Sequence, residues 1–266
     1  MNMYRHEVRS LVKSTAIWIA GLAALAALYF AVYPGMMKDA ENFRKLLEGY
    51  SPAVRAVLGI HLDFLTTLVG FYSMAFPFVS LCGAIQAANL GLSALSRESR
   101  ERTADFLLVK PVSRSAIVSA KLLAALTAIL ATNAAYDAFT FFMANLVKTQ
   151  DFDRKIFLMI NLSLLFIQLI FFAVGMVVSV FFQRMKNVLP LSLGMVFGLY
   201  AVGALLAQKS DDPARYLSPF RYFDFIWIIR NGTYETSYLI TGAVVAAVSI
   251  AASYLVYNRK DIHAVP

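Results

Sequence analysis

One carboxylate in this sequence, Asp137, lies within a long apolar run, where a charged side chain could do chemistry. A carboxylate at the centre of a membrane-spanning helix costs about 2.5–3.5 kcal/mol to insert, so it is expected to face a cavity or a partner. Such a group could attract a cation or carry a proton. Asn133 lies four residues earlier on the same helical face, and Tyr136 is adjacent to Asp137 in the sequence.

Further amides occur in the neighbouring apolar runs: Gln86 and Asn89 in one, and Asn161 and Gln168 in another. Two interpretations of these polar groups stay open. They could form interhelical hydrogen bonds that fix the packing, or they could line a path along which a substrate moves. The residues predicted for such a path are Asp137, Asn133, Gln86 and Asn89.

The residue patterns of common enzyme classes are missing. Neither a Gly-x-Ser-x-Gly motif nor a Gly-rich phosphate-binding loop with Lys-Ser/Thr occurs, so the chain is not expected to hydrolyse ATP itself. His6, His61 and His263 are far apart in the sequence, and a single Cys82 excludes an intrachain disulfide and a cysteine-based zinc site. We therefore expect no enzyme activity, cofactor or metal in this chain.

Composition indicates an integral membrane protein. Of 266 residues, 59% are hydrophobic and only 15% are charged, against roughly a quarter charged in soluble domains. The mean hydropathy is +0.65 and the isoelectric point is about 9.6. The basic residues lie in short segments between apolar runs and form no stripe of the kind that binds nucleic acid, so no nucleic-acid partner is expected.

The apolar runs predict an all-α integral membrane protein with six transmembrane helices in a single domain, residues 1–266. The first fifteen residues are amphipathic and predict a helix that lies in the membrane interface. The predicted elements are an interfacial helix at 1–15 and spans at about 16–33, 64–95, 116–147, 156–182, 188–207 and 237–257.

Two segments between spans, 34–62 and 208–236, are predicted to lie on the outer side of the membrane. Gly49 is expected to close one short helix, while Pro219 begins another and Gly232 ends one. The aromatic and apolar residues of the second segment that are expected to face the membrane are Phe220, Phe223, Ile226 and Trp227.

The most charged stretch, Ser96 to Lys121, joins the second and third apolar runs. At about 1.5 Å per residue, these two runs form helices longer than a hydrocarbon core of about 30 Å. They are therefore expected to carry the stretch into water. Arg97 with Glu101 is one of two opposite-charge pairs at helical spacing, and Pro111 ends the helix, so a helix is predicted at about 96–110.

This predicted helix also contains an apolar block, formed by Phe106, Leu107 and Leu108. A solvated loop has no use for such a block, whereas a helix that docks on a soluble protein does. We therefore predict a docking element, with an ordinary loop as the alternative. The basic residues before the first span and within this stretch favour the cytoplasm for both termini and for the stretch.

The same stretch contains a longer pattern. Its residues are Glu98-x-x-x-Arg102-Thr103-Ala104-x-Phe106-Leu107-Leu108-x-x-Pro111-Val112-Ser113-Arg114, with Lys121 seven residues further on. This run resembles the cytoplasmic motif of type-2 ATP-binding-cassette (ABC) transporter permeases, although Arg102 stands where many members have Gly. The segments Ser218-Pro219-Phe220-x-Tyr222-Phe223 and Arg259-Lys260-Asp261-Ile262, on either side of the last span, are similar to that family as well.

The resemblance implies a permease with a cytoplasmic coupling helix. Such a permease pairs with a second, identical or related permease and with two separate cytosolic ATPases, which bind ATP and Mg²⁺. We expect a bacterial plasma-membrane exporter of a peptide or another amphiphile. A stand-alone channel or secondary carrier is the alternative, and a membrane-embedded enzyme is a weaker one. The residues assigned to ATPase coupling are Arg97, Glu98, Arg102, Thr103, Phe106, Leu107, Leu108, Pro111 and Arg114.

Overall fold

The fold is helical throughout the part of the chain that the computed structural model describes. The described residues are 3–51, 54–55, 64, 67–100, 113–181, 187–205 and 213–259, with the backbone alone for 97–100. No strand occurs among them. The prediction of an all-α membrane protein is therefore confirmed.

Eight α-helices are found within the described residues, and two short 3₁₀ helices precede the seventh. The α-helices are α1 Met3–Lys38, α2 Ala40–Glu48, α3 Leu68–Arg100, α4 Arg114–Val147, α5 Arg154–Phe181, α6 Leu189–Leu205, α7 Phe225–Asn231 and α8 Thr236–Arg259, and the 3₁₀ helices are Pro213–Leu217 and Pro219–Arg221.

Five of these helices, α1, α3, α4, α5 and α8, are long and apolar enough to cross a membrane. They correspond to five of the six predicted spans. The remaining apolar helix, α6, has 17 residues and measures about 26 Å at 1.5 Å per residue, slightly less than a hydrocarbon core of about 30 Å. A sixth span at 188–207 therefore stays a prediction.

The first helix differs from the prediction, because α1 has no boundary near residue 15. Of the residues predicted as an interfacial helix, 1–15, the described residues 3–15 continue directly into those of the first span. Neither Gly nor Pro interrupts the junction, and the Thr15 hydroxyl donates a hydrogen bond to the Leu11 carbonyl within the helix. The first proline, Pro34, falls in the last turns of α1.

The centre of the bundle is the pair α3 and α5, which share the most extensive interface in the described fold. Glycines allow the two backbones to approach each other. A Cβ atom on Gly91 would lie 2.2 Å from the Phe172 carbonyl oxygen, and one on Gly175 would lie 2.9 Å from the Ala88 carbonyl oxygen. Small residues at such crossings are typical of helix pairs in membranes. By contrast, α1 and α8 are largely exposed.

The start of α4 and the end of α8 meet at one end of the bundle. The Arg114 guanidinium donates to the Asn258 carbonyl oxygen over 3.5 Å, and the hydroxyls of Ser119 and Tyr254 lie 2.8 Å apart. The end of α3 leads to the start of α4 through residues 101–112. The N-terminal part of α1 contacts α4 in the same region, as described below.

The segment between α6 and α8 packs more deeply than predicted. The Ser218 hydroxyl donates to the Leu199 carbonyl over 2.8 Å, and the Arg221 guanidinium donates to the Gly203 carbonyl over 3.2 Å. Both acceptors belong to the second half of α6. The ring of Phe220 also contacts α5 and α6, through Phe171 and Tyr200.

Predictions about individual residues of the outer segments had mixed outcomes. Gly49 ends α2, and Gly232 ends α7 in a left-handed conformation with φ of 61°, as expected. Pro219 begins a 3₁₀ helix. The expectation that Phe223 faces the membrane was wrong: its ring is buried and stacks on Phe166 of α5. Trp227, in contrast, is 43% exposed.

Candidate functional site

The structure describes the two ends of the predicted coupling segment, residues 97–114. Arg97 and Glu98 belong to the last turn of α3, and Arg114 is the first residue of α4. Ser113 caps α4, since its hydroxyl accepts a hydrogen bond from the Ala116 backbone over 3.2 Å. The predicted coupling residues that lie outside the described residues are Arg102, Thr103, Phe106, Leu107, Leu108 and Pro111.

The beginning of α4 is fixed to the neighbouring helices by polar contacts. Beside the Arg114 contact, the Ser115 hydroxyl and the Asn258 side chain exchange hydrogen bonds. The Tyr4 hydroxyl lies 2.9 Å from the Thr127 hydroxyl and so attaches α1 to α4. A displacement of residues 97–114 would therefore act on α1 and α8 as well as on α3 and α4.

An ion pair strengthens the contact between α1 and α4. The Lys121 ammonium lies 3.5 Å from a Glu7 carboxylate oxygen, and the two side chains are 3% and 16% exposed, respectively. A buried ammonium requires an anionic partner, because leaving a charge unpaired away from water is costly. Glu7 was missed as a partner at the sequence level, since nothing local relates it to a residue more than a hundred positions away.

Lys121→Met is expected to lower the melting temperature of the purified protein, because Glu7 loses its cation. Removal of one partner of a largely buried charge pair typically costs about 3–5 kcal/mol. Thermal unfolding in detergent measures the change. Lys45→Met is the matched control: Lys45 pairs with Glu41 on an exposed surface, where a pair contributes less than about 1 kcal/mol.

The double variant Glu7→Gln with Lys121→Met provides the second arm of this test. Coupled residues destabilise less together than the sum of the single changes. Additive effects of the two substitutions would contradict a direct interaction.

A cluster of hydroxyls and one amide joins α3, α4 and α5. The Tyr72 hydroxyl lies 2.7 Å from that of Tyr136 and donates to the Asn161 side-chain oxygen over 2.6 Å. The Asn161 amide in turn donates to the Thr140 hydroxyl over 3.0 Å. All four residues are fully buried. We call them the tyrosine cluster.

A second group, the amide cluster, consists of Gln86, Thr132, Asn133 and Gln168. The Asn133 amide donates to the Gln168 oxygen over 2.5 Å, the Gln168 amide donates to the Gln86 oxygen over 3.0 Å, and the Gln86 amide donates to the Thr132 hydroxyl over 2.8 Å. These residues are also buried. The cluster therefore connects the same three helices as the tyrosine cluster.

The four residues predicted for a substrate path occupy different surroundings. Gln86 and Asn133 belong to the amide cluster, while Asn89 accepts a hydrogen bond from the Ser192 hydroxyl of α6 over 2.9 Å. Asp137 is half-buried on α4. Gln86, Asn133 and Asn89 thus make hydrogen bonds between helices, as a role in packing requires. The substrate path itself stays a prediction.

Sequence reasoning missed Thr132 and Thr140 in these clusters. They carry a detectable signal, because they recur with Tyr136 every four residues on one face of α4, beside the amides already recognised. Tyr72 and Ser192 lack such a signal, since a single polar residue in an apolar helix does not show which way it faces.

A buried ion pair orders the segment before α8. The Arg215 guanidinium donates two hydrogen bonds to the Glu235 carboxylate, one of them over 3.0 Å, and lies 4.2 Å from the Tyr238 ring centroid. Burial opposes the charge of Arg215, but the Glu235 carboxylate outweighs burial and raises the pKa of Arg215 above its ordinary value. The pair fixes the first 3₁₀ helix to the start of α8.

Taken with its composition, the helical bundle defines a multi-pass membrane protein. Among the described residues, no group of three or more acids, histidines or cysteines is placed to bind a metal ion. A family model described as ABC-2 family transporter protein matches residues 1–262. The chain therefore belongs to the ABC-2 transporter family, as the motif in its charged stretch indicated. A comparison with curated protein sequences found no significant match. Membership makes the chain a membrane permease component of an ABC transporter.

Proposed function

We propose that this chain is the permease of an ABC exporter, coupled through residues 97–114 to cytosolic ATPases that bind ATP and Mg²⁺. The observation that carries the proposal is the family match over nearly the whole chain, together with the apolar block Phe106, Leu107 and Leu108 in a charged segment. Closure of the ATPase dimer on ATP would move this segment and, with it, the bundle.

The contacts at the start of α4 support rigid transmission of that movement. Arg114, Lys121 and Tyr254 take part in bonds that tie α4 to α1 and α8. Three helices are thus attached to the segment that would receive the force. A few fixed contacts of this kind favour rigid-body motion of helices over local bending.

The partners in this proposal are two ATPase subunits, a second permease copy or paralogue, and the lipid bilayer. Large apolar side chains are exposed along α1 and α8, among them Ile17, Leu28, Val244 and Val248. Lipid and a second permease are the partners that fit such faces in a membrane protein. We propose that the substrate is a peptide or another amphiphile, which passes between the two permeases near the residues predicted for the path.

Reconstitution in liposomes tests this function. The complex of the chain with its ATPase is expected to hydrolyse ATP faster when the transported compound from a panel of peptides and amphiphiles is added, and to move that compound only with ATP. Movement of a compound through liposomes that contain this chain alone, without ATP, would contradict the proposal and favour a channel or carrier.

We further propose that the protein lies in a bacterial plasma membrane with both termini and residues 96–114 in the cytoplasm. Cysteines introduced at Glu101 and Asp212 in a Cys82→Ser background are then expected to react with a membrane-impermeant reagent from opposite sides. Labelling of intact cells and of inverted vesicles measures the sidedness. Reaction of both positions from outside the cell would contradict this topology.

A further inference from the structure

Two buried oxygen atoms on α4 lack a hydrogen-bond partner. They are Oδ1 of Asn133 and Oδ1 of Asp137, and no other buried side-chain nitrogen or oxygen in the described part of the chain lacks one. Asn133 is only 5% exposed. Residues four apart on a helix have Cβ atoms about 5–6 Å apart on the same face, so the side chains that bear these two oxygens are neighbours.

The orientation of the Asn133 amide is fixed by its other contacts. Its nitrogen donates to the Ile129 carbonyl over 2.8 Å and to the Gln168 oxygen over 2.5 Å. Gln168 has to present its oxygen there because its nitrogen donates to Gln86. Reversing the Asn133 amide would bring its oxygen against two acceptors. Asn133 therefore offers an acceptor, and no donor, on its free side.

Three tyrosines lie within electrostatic reach of Asp137, but their hydroxyl protons are already used. Tyr72 donates to Asn161, so the proton shared between Tyr72 and Tyr136 comes from Tyr136. Tyr234 donates to the Met159 carbonyl over 2.7 Å. Since a hydroxyl has one proton, none of these groups can satisfy Asp137 as well.

Two neighbouring acceptors, one of them a carboxylate, require a shared partner, because unpaired buried acceptors are costly and a charged one is the most costly. A bound cation pairs with both oxygens and leaves the carboxylate ionised. We propose that Asn133 and Asp137 form a binding site for a compact monovalent cation, either an alkali-metal ion or the primary ammonium group of an amphiphile. This inference goes beyond the proposed function, since binding does not require ATP or transport.

The surroundings admit a ligand from one side. Asn133 is buried, whereas Asp137 is half-buried, and Phe141, one further turn along the same face, is 40% exposed. A cation that enters at Asp137 would reach the Asn133 oxygen behind it. An apolar chain attached to an ammonium group could then lie along the exposed face toward Phe141.

Thermal unfolding of the purified chain in detergent tests the site and separates the two sources of cation. Sodium and potassium chloride are compared with N-methylglucamine chloride at equal ionic strength, and hexylammonium with hexyltrimethylammonium, which has no N–H donor. We expect at least one small cation to raise the melting temperature by about 3 °C at ten times its Kd. An effect of hexylammonium alone assigns the site to an ammonium group, and an effect of the alkali ions assigns it to a metal ion.

Asp137→Asn is the decisive variant. Its amide can donate to the Asn133 oxygen, so the ligand-free melting temperature is expected to stay equal or to rise, while the cation-dependent increase disappears. Asp137→Ala removes the carboxylate without adding a donor and is also expected to lose the increase. Asp151→Asn, which alters an exposed carboxylate outside the bundle, is the control and should keep it.

The proposal is overturned if none of these cations stabilises the wild-type protein, or if the stabilisation persists in both Asp137 variants. The proposal is also contradicted if hexylammonium and hexyltrimethylammonium raise the melting temperature equally and do so in Asp137→Ala as well. Such stabilisation would come from the alkyl chain and not from the cationic group. A wild-type melting temperature that rises only when the pH is lowered would assign the missing donor to a proton on Asp137, and would contradict a cation site.

Discussion

A protein in which Leu107 and Leu108 are both replaced by alanine is expected to lose its ATPase partner while its membrane helices stay folded. These leucines lie in the charged stretch, so a soluble partner and not the bilayer would bury them. Burial of a leucine side chain contributes about 1.5–3 kcal/mol. Truncating two of them should therefore weaken the complex by roughly a hundredfold, measured as retention of the ATPase during affinity purification.

Leu46→Ala provides a matched control for this variant. Leu46 is 61% exposed on α2, which follows the C-terminal end of α1. Its truncation should leave ATPase retention unchanged. The melting temperature of each variant shows whether the bundle is intact. Retention of the ATPase by the double variant at the wild-type level would place the docking surface elsewhere.

Gly91→Ala is expected to destabilise the fold strongly, because it adds a methyl group where α3 and α5 are in closest contact. The new Cβ would lie 2.2 Å from the Phe172 carbonyl oxygen and 2.9 Å from the Met176 nitrogen. Both are backbone atoms of α5, so relief requires separation of α3 from α5. Overpacking typically costs 1–3 kcal/mol, and occasionally more; we expect a lower melting temperature and a smaller yield of monodisperse protein.

Gly21→Ala is the control for this substitution, because a Cβ on Gly21 meets nothing within 4 Å. Alanine is favoured over glycine in a helix by about 0.8–1.0 kcal/mol, so this variant should be as stable as the wild type or slightly more stable. If Gly91→Ala unfolds at the temperature of Gly21→Ala, the close contact between α3 and α5 is refuted.

Much of the helical layout could be predicted because it follows from local chemistry. Four long apolar runs became helices that begin and end within a few residues of the predicted bounds, since an apolar run in a membrane must satisfy its backbone internally. Local stop signals were equally informative: Gly232 adopts the left-handed conformation that ends α7, and Ser113 caps α4.

The rest depends on contacts between distant residues, which a single sequence does not show. The predicted interfacial helix merged with the first span, because its amphipathic pattern does not specify where a helix bends. Phe223 was assigned to the membrane by its hydrophobicity alone, but a partner on α5 buries it. Hydrophobicity is the same whether lipid or protein covers the ring.

The polar residues in the spans could likewise be predicted only in part. Asn133 and Asp137 could be recognised as costly in a membrane, but their unsatisfied oxygens follow from Gln86, Gln168 and the neighbouring tyrosines, which use up the available donors. The choice between packing and binding thus depends on three-dimensional contacts. The coupling residues Leu107 and Leu108 were identified from the motif and stay predictions.

The most direct test of a permease driven by cytosolic ATPases is photo-cross-linking in native membranes. A photoreactive phenylalanine analogue is placed at Phe106, and for comparison at Trp227, which is 43% exposed in the segment between α6 and α8. Cross-linked products are identified by mass spectrometry. We predict that position 106 captures an ATPase with a Gly-rich phosphate-binding loop and that position 227 does not. Capture of the ATPase from position 227, or its absence from position 106 in a folded protein, would contradict the proposed coupling.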